Sequence, residues 1–572
     1  PTVVQDDCMT PLHSDIEIAR DAQLRSPLEV AQGMGIDTAQ LEPYGHHVAK
    51  VDLSTIDQLA DRPQAKYVVV TAVTPTPFGE GKTTTAVGLA QGLAKEGHSP
   101  VLALRQPSLG PVFGIKGGAA GGGYSQVVPM EVLNLHLTGD FHAVTAAHDL
   151  LAAMVSNHLH HGNELGIHTV EWRRVLDIND RALRAIIEGN GGPMDGVTRQ
   201  SGFDITAASE VMVILALATS LADLRERLGR IVVGWTKAGE PVTAEDLKAA
   251  GAMAVLLRDA LKPNLLQTLE GTPALIHTGP FGNIATGNSS VVADRIGSRA
   301  GDFLVTEAGF AADMGAERFF SVKCRAAGLT PDAAVVVVTV RALKAHSDRF
   351  QVKLGKELPA EMLAEGPADV EAGAPNLRKH LSIIRSFGVQ PVVAINAFPT
   401  DHDSEHEVIR RIATEEGARV AVSTHVAEGG EGARELARVV AEACEEETSF
   451  TPTYELSDPL ATKIEKIATG VYGADGVSFE PAARRALEQY TERGYGELPV
   501  LIAKTQMSLS HDPTLKGAPT GWTLPIREVR LAAGAGYVYA LAGSIMTMPG
   551  LSKHPGAERI DLDEQGNVVG LF

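Results

Sequence analysis

Short apolar runs recur along the chain and are separated by longer segments whose apolar residues follow a helical period. These runs lie at 67–71, 100–104, 303–306, 333–340 and 391–395. Continuous runs of valine, isoleucine and leucine are typical of strands that are buried on both faces, as in a parallel sheet covered by helices. The pattern therefore predicts an α/β fold in which these strands share one mostly parallel sheet.

Two interruptions of this pattern predict a division into domains. Residues from about 145 to 295 are richer in helical periodicity, as at 207–228, and turn-forming residues at 448–453 precede a last unit. We expect residues 1–145 and 295–450 to form a discontinuous P-loop nucleotide-binding domain. Residues 146–294 would form an inserted α/β domain, and residues 451–572 a smaller C-terminal α/β domain.

A glycine-rich loop follows the run at 67–71 and precedes a segment, 83–96, with helical periodicity. A strict Walker A loop has glycine where Thr76 stands, but the other positions keep the order glycine, lysine, hydroxyl. Backbone amides in such a loop surround phosphates, a lysine contacts the terminal phosphates, and a hydroxyl reaches bound magnesium. The loop therefore predicts nucleoside triphosphate binding rather than a plain strand-to-helix turn, through Thr76, Gly79, Gly81, Lys82, Thr83 and Thr84.

A second glycine-rich segment at 114–123 follows closely and contains Lys116. It could be a flexible connector, but the lysine and the preceding Pro-Ser-Leu-Gly-Pro favour a shaped anion-binding lid. Arg105 stands at the carboxyl end of the run at 100–104, where open α/β sheets bind ligands. An arginine there can hold a carboxylate or a phosphoryl group with two parallel hydrogen bonds.

Composition narrows the class of partner. The chain has 70 acidic and 50 basic residues, a formal charge of −20, which argues against nucleic acids and anionic membrane surfaces. No apolar run is long enough to cross a bilayer and no basic-then-apolar segment opens the chain, so we expect a cytoplasmic protein. Small metabolites are the expected partners.

Longer stretches carry a resemblance to a known family. They lie at 74–85, 104–124, 137–142, 202–206, 306–310, 340–344, 396–401 and 545–550. Together they resemble formate–tetrahydrofolate ligase, also called formyltetrahydrofolate synthetase. The resemblance implies three domains per subunit, a homotetramer, Mg²⁺-ATP, and activation by a monovalent cation, K⁺ or NH₄⁺. It also implies that formate is activated as formyl phosphate, whose formyl group passes to N10 of tetrahydrofolate.

The resemblance assigns roles residue by residue. Lys82 would contact the β and γ phosphates, Thr83 or Thr84 would reach magnesium, and Arg105 would hold formyl phosphate. The pterin of the acceptor would stack on Phe398, and Asp140 would hydrogen-bond the pterin ring.

The acceptor side departs from the family pattern at several positions. Gln106 stands where the pattern has glutamate and Val426 where it has tryptophan; further departures are Thr286 to Ser289, Ser347, Asp348, Met507 and Ser544. Two hypotheses inside the family follow: an ordinary folate ligase, which we favour, and a paralogue that passes a formyl or other acyl group to a different acceptor. A P-loop ATPase acting on a protein partner would be expected to lack Arg105 and the second glycine-rich segment.

Overall fold

A large, mostly parallel sheet organises this mixed α/β fold. The computed structural model describes residues 14–77, 79–114, 121–350, 352, 358–543 and 545–571. Within these residues twelve strands form one sheet. Ten of them lie side by side in the order Leu41–Pro43, Ala49–Val51, Asn264–Thr268, Pro273–Ile276, Pro100–Leu104, Phe303–Glu307, Lys66–Ala72, Ala333–Val338, Gln390–Asn396 and Arg419–Ser423. Ser125–Val128 pairs with Asn264–Thr268 and with Gly121–Gly122.

The strands from Pro273–Ile276 to Arg419–Ser423 all run parallel. Successive side chains of a strand point to opposite faces, so a strand buried on both faces must be apolar throughout. Val68 and Val70 accordingly pack into one hydrophobic cluster, and Tyr67 and Val69 into another. The prediction that the apolar runs share one sheet is confirmed.

Helices cover both faces of the sheet. Lys82–Lys95 and Arg434–Ala443 contribute to the cluster that contains Val68. Val291–Ala300 and Pro367–Ser386 contribute to the cluster that contains Val69, and Asp403–Glu415 packs beside them. The shorter helices are Asp15–Arg20, Pro27–Gly33, Thr55–Gln58, Leu109–Gly114, Met130–Asn134, Arg325–Ala327, Val340–Ala345, Ala360–Leu363 and His425–Glu428.

A helix-rich region follows the first part of the sheet. Its helices are Asp140–His160, Glu210–Leu217, Leu221–Arg230 and Ala250–Leu257, and its strands are Ile167–Val170, Arg174–Leu176, Ile186–Glu188, Arg199–Ser201, Phe203–Ile205, Val232–Thr236 and Pro241–Thr243. The periodic stretch at 207–228 forms two helices because the Ser220 hydroxyl accepts from the Asp223 amide and caps a new helix there. The strands Asn264–Thr268 and Pro273–Ile276 fall inside the range expected for an inserted domain, yet they belong to the large sheet.

The last part of the chain forms a small α/β unit. Val500–Ala503 pairs in parallel with Tyr537–Leu541, which pairs antiparallel with Glu528–Ala532. Gly476–Phe479 pairs with Thr523–Ile526, and Asp561–Leu562 pairs with Val568–Val569. The helices here are Leu460–Lys466 and Pro481–Glu492. Among the helices described in the chain, none combines the length and apolar character that crossing a bilayer requires.

Candidate active site

The candidate site lies at the carboxyl edge of the parallel strands. The strand Lys66–Ala72 lies between Phe303–Glu307 and Ala333–Val338. It precedes the first glycine-rich loop, for which phosphate binding is predicted and which we call the phosphate loop. Loops that leave the carboxyl ends of parallel strands meet at one edge, which is where open α/β sheets bind ligands. The fold therefore brings to this edge the phosphate loop, Arg105 after Pro100–Leu104, and the segment after Gln390–Asn396.

Two glycines set the backbone of the phosphate loop. Gly79 and Gly81 both have φ of 77°, the left-handed region, and Gly81 caps the helix Lys82–Lys95. A Cβ on Gly81 would lie 2.4 Å from Nδ2 of Asn396, so the loop approaches its neighbour too closely for a side chain. The first amides of a helix lack partners within the helix and face an anion together with the helix dipole. Thr83 and Thr84, on the same turn, are half-buried.

Glu80 is a functional candidate that the sequence pattern did not single out. Its side chain is buried, and its two carboxylate oxygens accept from the Thr76 amide at 2.8 Å and from the Thr339 hydroxyl at 2.8 Å. The Asn396 amide donates to the Glu80 carbonyl at 3.1 Å. These bonds connect the loop to the ends of the strands Ala333–Val338 and Gln390–Asn396. Glu80 therefore fixes the shape of the loop.

Arg105 lies at the same edge of the sheet as the phosphate loop, with the strand Phe303–Glu307 between their two strands. Nη1 donates to the carbonyl of Pro280 at 3.3 Å, and Nη2 lies 3.7 Å from the Glu307 carboxylate. The side chain is partly exposed, and Nε has no hydrogen-bond partner within the described residues. Nε is buried, so a ligand at this edge of the sheet would contact the exposed part of the Arg105 side chain rather than Nε.

Glu307 joins Arg105 to the phosphate loop. It ends the strand between those of Arg105 and the loop, it is 2% exposed, and it accepts from the Thr83 hydroxyl at 2.6 Å. The segment 306–310 contributes to the family resemblance, but the sequence pattern assigned Glu307 no role. The available signal was its place directly after a buried strand.

The end of the second glycine-rich segment lies against the phosphate-loop helix. A Cβ on Gly122 would lie 3.9 Å from the Thr84 hydroxyl, and the Gly123 amide donates to the Asp15 carboxylate at 2.8 Å. The two glycine-rich segments are thus neighbours in space. The central part of the second segment, including Lys116, lies outside the described residues.

Phe398 and Val426 follow adjacent parallel strands. Phe398 is half-buried, and the Arg341 guanidinium lies over its ring at 4.0 Å. Val426 is 37% exposed, and its carbonyl accepts from the Tyr124 amide at 2.8 Å, at the end of the second glycine-rich segment. Val426 and Phe398 thus follow neighbouring strands at the same edge of the sheet, and the Val426 side chain is partly open to solvent.

Gln106 and Asp140 are both buried. Gln106 follows Arg105 directly, and its side-chain oxygen has no hydrogen-bond partner among the described residues. In Asp140, one carboxylate oxygen accepts from the Lys50 ammonium at 2.8 Å and the other from the Asn264 amide at 2.8 Å. Since both oxygens of Asp140 are engaged inside the protein, its role in ligand binding rests on the family resemblance alone.

A buried histidine packs under the start of the phosphate-loop helix. His425 Nε2 lies 3.3 Å from the Thr85 hydroxyl, and its Nδ1 lies 2.8 Å from the Ser423 hydroxyl. Burial lowers the pKa of His425 to about 4, so its ring is neutral at physiological pH. It supports the helix by packing and hydrogen bonding rather than by charge.

Known proteins of one family are similar to this chain along nearly its whole length. The sequence model of the family described as "Formate--tetrahydrofolate ligase" matches residues 13–572. A "Formate--tetrahydrofolate ligase" of Saccharopolyspora erythraea is 66% identical over 98% of this chain and 99% of its own. Proteins with that description from Cutibacterium acnes and Roseiflexus sp. are 64% and 59% identical, each over 98% of this chain and 100% of their own.

Proposed function

The chain belongs to the formate–tetrahydrofolate ligase family, and we propose that the carboxyl edge of its large sheet holds the active site. The protein is an ATP-dependent ligase of one-carbon metabolism that transfers a formyl unit from formate to tetrahydrofolate. The observation that carries the assignment of the site is the convergence of the phosphate loop, Thr83, Glu307 and Arg105 on three adjacent strands.

The first step makes a reactive acyl group. Displacing oxide from formate is prohibitive, whereas an acyl phosphate has a good leaving group. A formate oxygen attacks the γ-phosphorus of ATP, the bond to the β-phosphate oxygen breaks, and ADP leaves, which gives formyl phosphate. Lys82 and the first amides of the helix Lys82–Lys95 hold the phosphates, because phosphoryl transfer mainly requires positioning and neutralisation of charge. Thr76, Gly79 and Gly81 shape the loop around them.

Magnesium fits the oxygen donors at this position. Thr83 is half-buried at the start of the helix, and oxygen atoms are the ligands that Mg²⁺ prefers. Thr83, with Thr84 beside it, would hold the ion that accompanies ATP. Bound there, the ion would neutralise charge on the phosphate oxygens.

Arg105 is the candidate for holding formyl phosphate. Its side chain is partly exposed, and a guanidinium matches two oxygens of a phosphoryl group. In the second step the N10 amine attacks the formyl carbon, the bond to the phosphoryl oxygen breaks, and phosphate leaves. Arg105 would stabilise the charge on the phosphoryl oxygens in both steps.

Tetrahydrofolate would bind at the strand ends beside Phe398 and Val426. Arg341 covers one face of the Phe398 ring, so the pterin would stack on the other face. Gln106, with an unpartnered side-chain oxygen, would hydrogen-bond the pterin from the side of Arg105, and Asp140 is the further candidate from the family resemblance. The descriptions of the related proteins favour tetrahydrofolate over a different acceptor.

The domain organisation completes the proposal. We assign the large sheet to a P-loop nucleotide-binding domain, residues after about 145 to an inserted domain, and residues 451–572 to a C-terminal domain. For the inserted domain, predicted at 146–294, we propose an end before Asn264–Thr268, since the pairing of that strand in the large sheet supports a shorter range. A homotetramer and a monovalent cation, K⁺ or NH₄⁺, follow from the family resemblance.

Trapping of the intermediate tests the proposal. With ATP, Mg²⁺ and formate but no folate, hydroxylamine should convert formyl phosphate to formyl hydroxamate. Arg105→Lys should suppress this product while ATP binding persists, because an ammonium group cannot form two parallel hydrogen bonds to one phosphoryl group. Equal trapping by the wild-type and Arg105→Lys proteins would remove Arg105 from the mechanism.

A further inference from the structure

The buried carboxylate of Glu307 lies between Thr83 of the phosphate loop and Arg105, two residues that the proposed reaction needs close together. Glu307 is 2% exposed and pairs across the sheet with Val70, in the strand that leads to the phosphate loop. One of its oxygens accepts from Thr83, and the other, Oε1, lies 3.7 Å from Arg105 but has no hydrogen-bond partner within the described residues. A buried carboxylate oxygen without a donor is costly, so this oxygen points to a ligand.

The bond between Thr83 and Glu307 has a direction that suits a metal ion. The Thr83 hydroxyl gives its proton to Glu307, so the lone pairs of its oxygen remain available. In P-loop enzymes magnesium is held by a loop hydroxyl together with a carboxylate from a nearby strand. Glu307 has that position, since it ends the strand adjacent to the one that leads into the loop.

We propose that Glu307 and Thr83 together form the protein's side of the magnesium site, and that Glu307 also positions Arg105. The inference rests on the proposed function, because the ion would come with ATP. A guanidinium and a divalent cation that act on the same phosphoryl group repel each other. One carboxylate between them attracts both and so reduces that repulsion.

Glu80 provides the matched comparison. Glu80 and Glu307 are both buried and both contact the phosphate loop. In Glu80, however, each carboxylate oxygen already accepts a hydrogen bond, from the Thr76 amide and from the Thr339 hydroxyl. Glu80 therefore maintains the loop whether or not a metal is present, whereas Glu307 has an oxygen that accepts no hydrogen bond from the described residues.

The test separates metal binding from loop structure. Glu307→Gln keeps the size of the side chain and an oxygen that can accept from Thr83, but it removes the charge. Calorimetry would measure the affinity of the full-length protein for a non-hydrolysable ATP analogue, with Mg²⁺ and with a chelator. Electron paramagnetic resonance would measure Mn²⁺ binding in the presence of the analogue.

We expect Glu307→Gln to weaken Mn²⁺ binding by ~10- to 100-fold, the range seen when groups around a metal site are changed. The affinity for the analogue without metal should stay at the wild-type value. Glu80→Gln should instead weaken binding of the analogue by the same factor with and without metal. Thr83→Val should weaken Mn²⁺ binding, and adding it to Glu307→Gln should cause less than the sum of the two losses.

Two results would overturn the inference. One is wild-type Mn²⁺ affinity in Glu307→Gln; the other is an equal loss of analogue affinity with and without metal, which would make Glu307 a structural residue. If Glu307→Gln folds poorly, Glu307→Asp replaces it in the test. A comparison of Thr83→Val with Thr83→Ser then tests the metal site from its other side, and the serine variant should keep its metal affinity. Absence of analogue binding in the wild-type protein would instead refute the proposed phosphate loop, a distinct failure.

Discussion

Replacing Gly81 by alanine tests how closely the phosphate loop is fitted to its neighbours. Gly81 has φ of 77°, and its new Cβ would lie 2.4 Å from Nδ2 of Asn396, a buried side chain that donates to the Glu80 carbonyl. The left-handed backbone costs alanine about 1–2 kcal/mol. Displacing Asn396 would break its hydrogen bond to Glu80 and cost about 0.5–1.5 kcal/mol more.

Gly79→Ala is the matched control, because Gly79 has the same φ of 77° but, among the described residues other than its chain neighbours, nothing lies within 4 Å of its Cβ position. It would incur the backbone strain alone. If the strained loop relaxes in the absence of ATP, binding has to restore its conformation and the cost lowers the ATP affinity. Since about 1.4 kcal/mol is a factor of ten, affinity should then fall about tenfold in Gly79→Ala and a further ~2- to 13-fold in Gly81→Ala. Calorimetric titration of ATP into the two variants measures the difference.

A double variant identifies the source of that difference. Asn396→Ala removes the side chain that Gly81→Ala would displace, so combining the two should cost no more ATP affinity than Gly81→Ala alone. Equal losses in Gly79→Ala and Gly81→Ala, or fully additive losses in the double variant, would refute the role assigned to Asn396.

Three further predictions follow from the site. Lys82→Ala should abolish formate-dependent release of ADP, and unchanged turnover would show that the loop is structural. Phe398→Leu should weaken tetrahydrofolate binding through loss of ring stacking, about 0.5–1.5 kcal/mol, and should leave ATP affinity unchanged; equal titration curves for both proteins would place the pterin elsewhere. Burial lowers the pKa of His425 from 6.5 to about 4, so between these pH values the unfolded chain binds a proton that the folded chain does not, and stability falls as the pH drops through that window. His425→Gln should therefore make the melting temperature less dependent on pH between 6.5 and 4, and an unchanged dependence would contradict the burial argument.

Local pattern was enough to predict the elements that carry the phosphate loop. The run at 67–71 became the strand Lys66–Ala72, and the helical segment at 83–96 became Lys82–Lys95. Both predictions depend on residues close in sequence: an apolar run, two glycines that permit left-handed backbone, and a helical period. The family resemblance, based on the same loops, is confirmed by the comparisons.

Contacts between distant segments could not be read from such patterns. Glu307 and Thr83 are 224 positions apart, and Glu80 and Thr339 are 259 apart, yet each pair shares a hydrogen bond. The order of strands places Phe303–Glu307 between the strands of Arg105 and the phosphate loop, and periodicity along one strand carries no information about its neighbour. The strands Asn264–Thr268 and Pro273–Ile276 show the same limit, since their own sequence does not say which sheet they join.

The sequence by itself thus determined which residues are candidates for binding phosphate, because glycine, lysine and threonine have that chemistry wherever the backbone allows it. Tertiary structure alone decided which carboxylates meet them. Glu80 and Glu307 are both glutamates beside the same helix. In Glu80 both carboxylate oxygens accept hydrogen bonds, whereas in Glu307 one of the two accepts none from the described residues. The physical reason is that the role of a buried charge depends on the donors around it, and sheet order sets those donors.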